Sequence, residues 1–156
     1  MPAFLAAGFA LVLMEFTMHI RPFRLTDEAA VVDLWQRCDL VRPWNDPYKD
    51  IQRKLKVQPE LFLVGEIDGK LVASAMAGYE GHRGWVNYLA MCPQQRQQGL
   101  ARQLMVYIEE QLLALGCPKL SLQVRDTNAS ALAFYERLGY KVDASVSLGK
   151  RLIADD

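Results

Sequence analysis

A chain of 156 residues has room for one domain with at most a short extension, not two. Its apolar fraction of 51% and charged fraction of 23% fit a packed globular core and exclude a disordered chain. Eighteen Lys and Arg offset eighteen Asp and Glu, so no general field draws the chain to nucleic acid or to an anionic membrane. Any anionic ligand is then held by local groups. Cys38, Cys92 and Cys117 are odd in number and form no C-x-x-C pair, which argues against a secreted disulfide framework. His19 and His82 are too few and too far apart for a dedicated zinc site, so no metal is expected. These bounds point to a cytoplasmic domain.

The run from Ala3 to Met14 is apolar but shorter than the roughly 20 residues a membrane-spanning helix needs. No basic residue precedes it and Glu15-Phe16-Thr17 follows, which is not the form of a signal peptide. Residues 1–17 therefore read as an extension, from an early start codon or as a loosely attached appendage, ahead of a domain at 18–156. No stable membrane association is expected; a membrane-associated protein using residues 1–17 is the rival reading.

From Met18 strands and helices alternate. His19 to Phe23 reads as a strand, and Thr26 as the cap of a helix with Asp27 and Glu28 in its first turn. Val31, Leu34, Trp35 and Cys38 give that helix an apolar stripe. Asp46-Pro47 predicts a second helix over roughly 47–57. Strands at 61–67 and 71–78 are joined by Asp68-Gly69-Lys70, a hairpin signal. A further strand, 85–91, stops at Pro93. The longest helix runs from about Gly99 to Leu115, with Leu100, Leu104, Ile108 and Leu112 on one face and Gly116 as its stop. Leu120, Leu122 and Val124 alternate as a strand, 129–138 forms a helix closed by Gly139, and Tyr140 to Leu152 is expected to hold one or two last strands. This order specifies an α/β domain, an α+β mixed sheet with helices on both faces.

The segment from Leu89 to Arg102 carries the chemistry. A strand ends, a polar loop intervenes, and a helix begins near Gly99, where amides lack intrahelical partners and the dipole is positive. Gly99 and Ala101 are small enough for a phosphate to approach the backbone, and Arg96 and Arg102 add charge. The bland alternative is an ordinary strand-loop-helix connection with a solvated Gln/Arg loop.

Arg96-Gln97-Gln98-Gly99-Leu100-Ala101 resembles the R/Q-x-x-G-x-G/A motif of the GNAT superfamily of acyl-CoA-dependent N-acetyltransferases. Two departures stand out: Ala101 replaces the second glycine, and Gln97-Gln98 stands where Gly-Lys or Gly-Arg is frequent. Downstream, Asn128, Ala131, Phe134, Tyr135, Gly139 and Tyr140 resemble that family's N-x-x-A-x-x-F-Y-x-x-x-G-F/Y helix. The resemblance spans Met18 to the C-terminus. It implies acetyl-CoA as co-substrate, a sheet splayed at the acetyl-CoA site, and backbone at Leu89 and Met91 pairing with the pantetheine arm. It also implies that residues 96–102, from Arg96 through Gln97, Gln98, Gly99, Leu100 and Ala101 to Arg102, cradle the diphosphate. Leu89 N–H would stabilise the oxyanion, Asn128 would bond the arm, and Tyr135 would protonate the leaving thiolate. By periodicity alone Tyr135 is a core aromatic and Asn128 a helix cap.

An amine acceptor must lose a proton, and Glu80 is the candidate base, although a strand-end glutamate is commonly just solvated. Tyr79, beside it at the strand end, is a second candidate for that role, and Asn87 and Tyr88 on the next strand would orient the amine or a water. Trp44 reads either as a substrate wall or as a core tryptophan, and Asp46 as an amine anchor or a helix cap. The stretches 42–47 and 79–84 resemble a bacterial branch of the superfamily, the YpeA-type acetyltransferases. Cys92 has no histidine placed to activate it and reads as a small buried filler rather than an acyl carrier. The reading is acetyl transfer to a small-molecule or peptide amine, with a homodimer compatible and no nucleic acid involved. A CoA-binding sensor or interaction module without transfer activity is the alternative.

Overall fold

The computed structural model describes residues 17–156. The expected extension at 1–17 lies outside them except for Thr17. Among the described residues, no helix is long and apolar enough to cross a membrane.

Strand β1 (His19–Pro22) leads through a 3-10 turn into helix α1 (Glu28–Arg37) and then α2 (Pro47–Lys54). Strands β2 (Phe62–Ile67), β3 (Lys70–Tyr79) and β4 (Gly84–Met91) follow, then α3 (Leu100–Ala114), β5 (Leu120–Leu122) and α4 (Ala129–Arg137). The sheet order is β1-β2-β3-β4-β5. The first four strands pair antiparallel with their neighbours, whereas β5 joins β4 parallel. That parallel pair requires a crossover, which α3 supplies.

Local chemistry explains most boundaries. Asp46 caps α2, its Oδ1 accepting from the N–H groups of Tyr48 at 2.9 Å and Lys49 at 3.3 Å, with Pro47 in the first helical position. Asp68 and Gly69 both take positive φ, 50° and 75°, as a two-residue hairpin turn demands. Two helix ends differ from expectation. Thr26 does not cap α1; Asp27 accepts from Arg24 N–H at 2.8 Å and pairs with Arg21 at 2.8 Å, which draws the chain into a 3-10 turn first. Helix α2 stops at Lys54 rather than at 57, because the chain turns back through Gln58 at φ 48° to start β2.

The core lies on both faces of the sheet. Helix α1 packs Val31, Leu34 and Trp35 on one face, all fully buried, while α3 packs Leu100, Leu104, Ile108 and Leu112 on the other. Phe62 stacks between Phe23, with ring centroids 4.3 Å apart, and Trp35 at 6.2 Å. Cys92 and Cys117 fill buried positions, and Cys38 is half-buried.

The expected strand or strands from Tyr140 to Leu152 do not form. Strand β5 has three residues instead of the expected run to Val124, so it offers too short an edge for another ladder. The C-terminal segment follows it through side chains instead, Lys119 to Asp143 at 2.8 Å and Gln123 to Ser147.

Ser74 is the buried polar side chain of this core among the described residues, and its Oγ accepts from Trp35 Nε1 at 2.8 Å. Ser74→Ala leaves the buried indole N–H without its acceptor, a cost of about 1–3 kcal/mol. Chemical denaturation is expected to show a lower midpoint at unchanged slope; an unchanged midpoint would mean that the bond contributes nothing.

Candidate active site

The site begins with an irregularity in β4. Ser74 pairs with Ala90 and Met76 with Asn87, so one residue of β3, Ala75, faces two of β4, Tyr88 and Leu89. This is a β-bulge, and Tyr88 adopts φ 51° within it. The left-handed region costs a bulky residue about 1–2 kcal/mol, so surrounding contacts must impose it. They do. Tyr88 stacks on Trp35 with centroids 3.9 Å apart, its carbonyl accepts from Ser74 Oγ at 3.4 Å, and its phenol donates to Asp50 Oδ2 at 2.7 Å. Burial first, and the Asp50 bond second, push the Tyr88 phenol well above the usual tyrosine range.

The bulge opens the sheet. β5 pairs with β4 only from Gly84 to Val86, and beyond that β4 continues with no strand paired to its far edge. Cys92 N–H bonds back to Val72 O at 2.7 Å. By the alternation of strand backbone groups, Met91 and Leu89 then face that unpaired edge. Met91 O accepts from the Cys38 thiol at 3.3 Å.

At the end of β4 the chain passes a 3-10 turn (Pro93–Gln95) into α3. Gln97 and Gly99 take positive φ, 65° and 74°, which folds the loop back over the helix start. A Cβ at Gly99 would meet nothing within 4 Å. Backbone at Gly99 is thus open to approach, and the N–H groups of Leu100, Ala101 and Arg102 that follow it have no intrahelical acceptor. Arg96 and Arg102 are exposed beside this opening, and Arg96 Nη2 lies 3.6 Å from Cys38 Sγ. Burial is the largest single influence on the Cys92 thiol and raises it, but the bond from Arg37 at 3.3 Å, the Gln94 backbone and the charges of Arg37 and Lys70 together hold the thiol below its ordinary range.

On the far side, α4 brings Asn128 and Tyr135 to the cleft that also contains Leu89. Asn128 Oδ1 caps α4, accepting from Ala131 N–H at 3.2 Å. Tyr135 stands edge-on between Phe134 and Tyr140, with centroids 5.0 and 5.7 Å away, and burial pushes its phenol up to about 12. Leu89, Asn128 and Tyr135 thus share one cleft, which Asn45 and Asp50 also line. Met91 and residues 96–102 lie beyond that cleft, along the strand end and the helix start.

Glu80 is elsewhere. It is exposed at the end of β3, where Oε1 accepts from the N–H groups of His82, at 3.0 Å, and Arg83. It borders a smaller groove with Trp85 and Asn87, and those two residues also line the main cleft. Asp46 serves as the α2 cap, and Trp44 is 54% exposed rather than a core residue. Sequence reasoning missed Asp50 and Ser74, which hold the bulge. The available signal was the adjacent pair Tyr88-Leu89, two large apolar residues where a half-buried strand alternates.

Comparison with known proteins finds the same architecture. The acetyltransferase (GNAT) family profile matches residues 29–140. An acetyltransferase of Pectobacterium atrosepticum is 51% identical over 138 residues, covering 88% of this chain and 98% of its own. Among solved structures, the ribosomal-protein-S18-alanine N-acetyltransferase of Escherichia coli superposes with a TM-score of 0.66 at 27% identity, over 79% of this chain and 77% of its own. An AAC(6')-Iy structure in complex with the bisubstrate analogue CoA-S-monomethyl-acetylneamine gives 0.70 at 18% identity, over 88% and 99%.

The half-buried Tyr135 phenol couples the fold to pH. Its proton is held to about 12 in the fold and to near 10 in the unfolded chain. The stability this contributes is present below pH 10 and falls as pH rises from 10 through 12. The tyrosinate absorbance difference between wild type and Tyr135→Phe is expected to develop near pH 12; development near 10 would show an exposed phenol.

Proposed function

Because the chain belongs to the GNAT family of acetyltransferases, we propose that it transfers the acetyl group of acetyl-CoA to a primary amine by direct attack. The observation that carries this reading is the unpaired β4 edge at Leu89, in one cleft with the Tyr135 face of α4. Acetyl-CoA as donor is supported by the open approach to the amides at Gly99, which suits a diphosphate. It is supported also by the CoA-linked analogue in the AAC(6')-Iy structure. Nitrogen as the acceptor atom is supported by the description of the Escherichia coli relative as an alanine N-acetyltransferase.

In this reading the diphosphate lies against the N–H groups at the start of α3, flanked by Arg96 and Arg102. The pantetheine arm runs along the open edge at Met91 and Leu89 as an added strand, with the Asn128 amide beside it. Leu89 N–H donates to the thioester carbonyl and to the oxyanion that forms there. The amine nitrogen bonds to the carbonyl carbon, the carbon–sulfur bond breaks, and the thiolate takes the Tyr135 proton. Burial keeps the Tyr135 phenol protonated at neutral pH, so its proton is in place when the thiolate leaves. The amine's proton leaves through a base or a water chain on the acceptor side. Glu80, in the smaller groove that shares Trp85 and Asn87 with the cleft, is the carboxylate we assign as that base.

Two variants test the assignment. Tyr135→Phe is expected to lower kcat at least tenfold, about 1.4 kcal/mol, with acetyl-CoA affinity unchanged; unaltered turnover removes the general acid. Gly99→Glu puts a bulky anion into the cradle and is expected to abolish CoA binding in a folded protein. Normal calorimetric titration of that variant with CoA would overturn the diphosphate site. Thiol release against a panel of amines separates transfer from a CoA-binding sensor.

A further inference from the structure

The C-terminal segment is exposed along most of its length, with Val146, Leu148 and Leu152 at 85%, 92% and 86%. Asp155 is the exception, its side chain 2% exposed. Donors from three parts of the chain enclose its carboxylate. Arg53 Nη2 donates to Oδ1 at 2.6 Å, and the Asp46 backbone N–H donates to Oδ2 at 2.8 Å. Arg151 Nη2 lies 2.9 Å from Oδ2 and Arg53 Nη1 lies 3.3 Å from it. The Asp155 carbonyl accepts from Lys49 Nζ at 2.8 Å. The Arg53 guanidinium first, then the Asp46 N–H, keep this carboxyl well below the ordinary carboxylate range.

The cluster does not end there. Arg53 Nη1 also donates to Asp50 Oδ1 at 3.0 Å, and Asp50 Oδ2 accepts the Tyr88 phenol at 2.7 Å. A continuous run of charge-assisted hydrogen bonds thus links the second-last residue to the side chain of the residue that makes the bulge. Helix α2, which carries Asp50 and Arg53, has eight residues and one buried side chain, Ile51. So short a helix is not fixed by its own propensity. Asp155 holds it at the N–H of its cap residue Asp46, at Lys49 and at Arg53.

We propose that Asp155 is a positioning residue for acetyl transfer: through Arg53 and Asp50 it fixes Tyr88, and with it the bulge that turns Leu89 N–H to the open edge. This inference rests on the reading above, in which that N–H receives the thioester carbonyl.

The full chain tests it. Asp155→Asn removes the charge at constant size, Asp155→Glu restores it, and Asp156→Asn controls for the charge of the tail. Asp155→Asn is expected to lower kcat at least fivefold while acetyl-CoA affinity stays within twofold; Asp155→Glu recovers most of the loss and Asp156→Asn shows none. Combined with Tyr88→Phe, Asp155→Asn adds little, because both cut the same connection. In amide NMR spectra without substrate, the Tyr88 and Leu89 resonances of Asp155→Asn shift along with Asp50. If that variant unfolds, Arg53→Lys, which keeps the charge but loses the two-handed grip, gives the same readouts. Unshifted Tyr88 and Leu89 resonances in a folded variant, or losses that multiply in the double variant, overturn the proposal. The spectra need no turnover, so an inactive wild type would count against acetyl transfer and leave this result standing.

Discussion

The left-handed turn of the backbone at Tyr88 is the constraint on which the cleft depends. A strand paired along both edges presents no free backbone to a ligand. Here β3 holds one edge of β4 throughout, while the extra residue at Tyr88-Leu89 increases the local twist and carries β4 away from β5 after Val86. The strain is not self-sustaining in a tyrosine. It is imposed by a stack on Trp35, a hydroxyl from Ser74 and a carboxylate from Asp50, which come from α1, β3 and α2. Three separate elements therefore converge on one residue whose neighbour faces the opening.

A second constraint is electrostatic. With equal numbers of acidic and basic residues, the surface as a whole does not concentrate anions. The fold answers locally: the first turn of α3 presents unpartnered amides, and Gly99, with open space where a side chain would stand, lets a ligand approach them. Gln97 and Gln98 contribute no charge, so the backbone and two arginines supply the positive potential. Burial is used in the opposite sense at Tyr135, where exclusion of water raises the phenol's affinity for its proton.

Features written in local chemistry were legible in the sequence: the Asp46-Pro47 start of α2, the Asp68-Gly69 hairpin, and the glycine ends of α3 and α4 at Gly116 and Gly139, both at positive φ. So were the turn at Gly99 and the Asn128 to Tyr140 helix, because their spacing is short-range. What was not legible depends on contacts far apart in the chain. Asp50 reads as one more solvated helix carboxylate until Tyr88, 38 positions later, reaches it. Asp155 reads as the end of a polar tail until it meets Arg53, 102 positions earlier. The missing strands after Tyr140 fail for the same reason: alternation announces a strand, but pairing needs a partner edge, and β5 supplies three residues.

These long-range contacts also explain how two sides of one strand are coupled. Side chains along β4 alternate between faces, so Trp85 and Asn87 are exposed while Val86 is buried. The bulge breaks that parity by one residue. Tyr88 keeps its side chain on the α2 face, and the next residue turns its backbone to the open edge. A movement of α2 therefore acts on the Tyr88 side chain and, through one peptide unit, on the orientation of the Leu89 amide. In a regular strand the same movement would be absorbed by the ladder on both edges. Here no strand pairs that edge beyond Val86, so the adjustment appears at the Leu89 amide, which the proposed reading gives to the thioester.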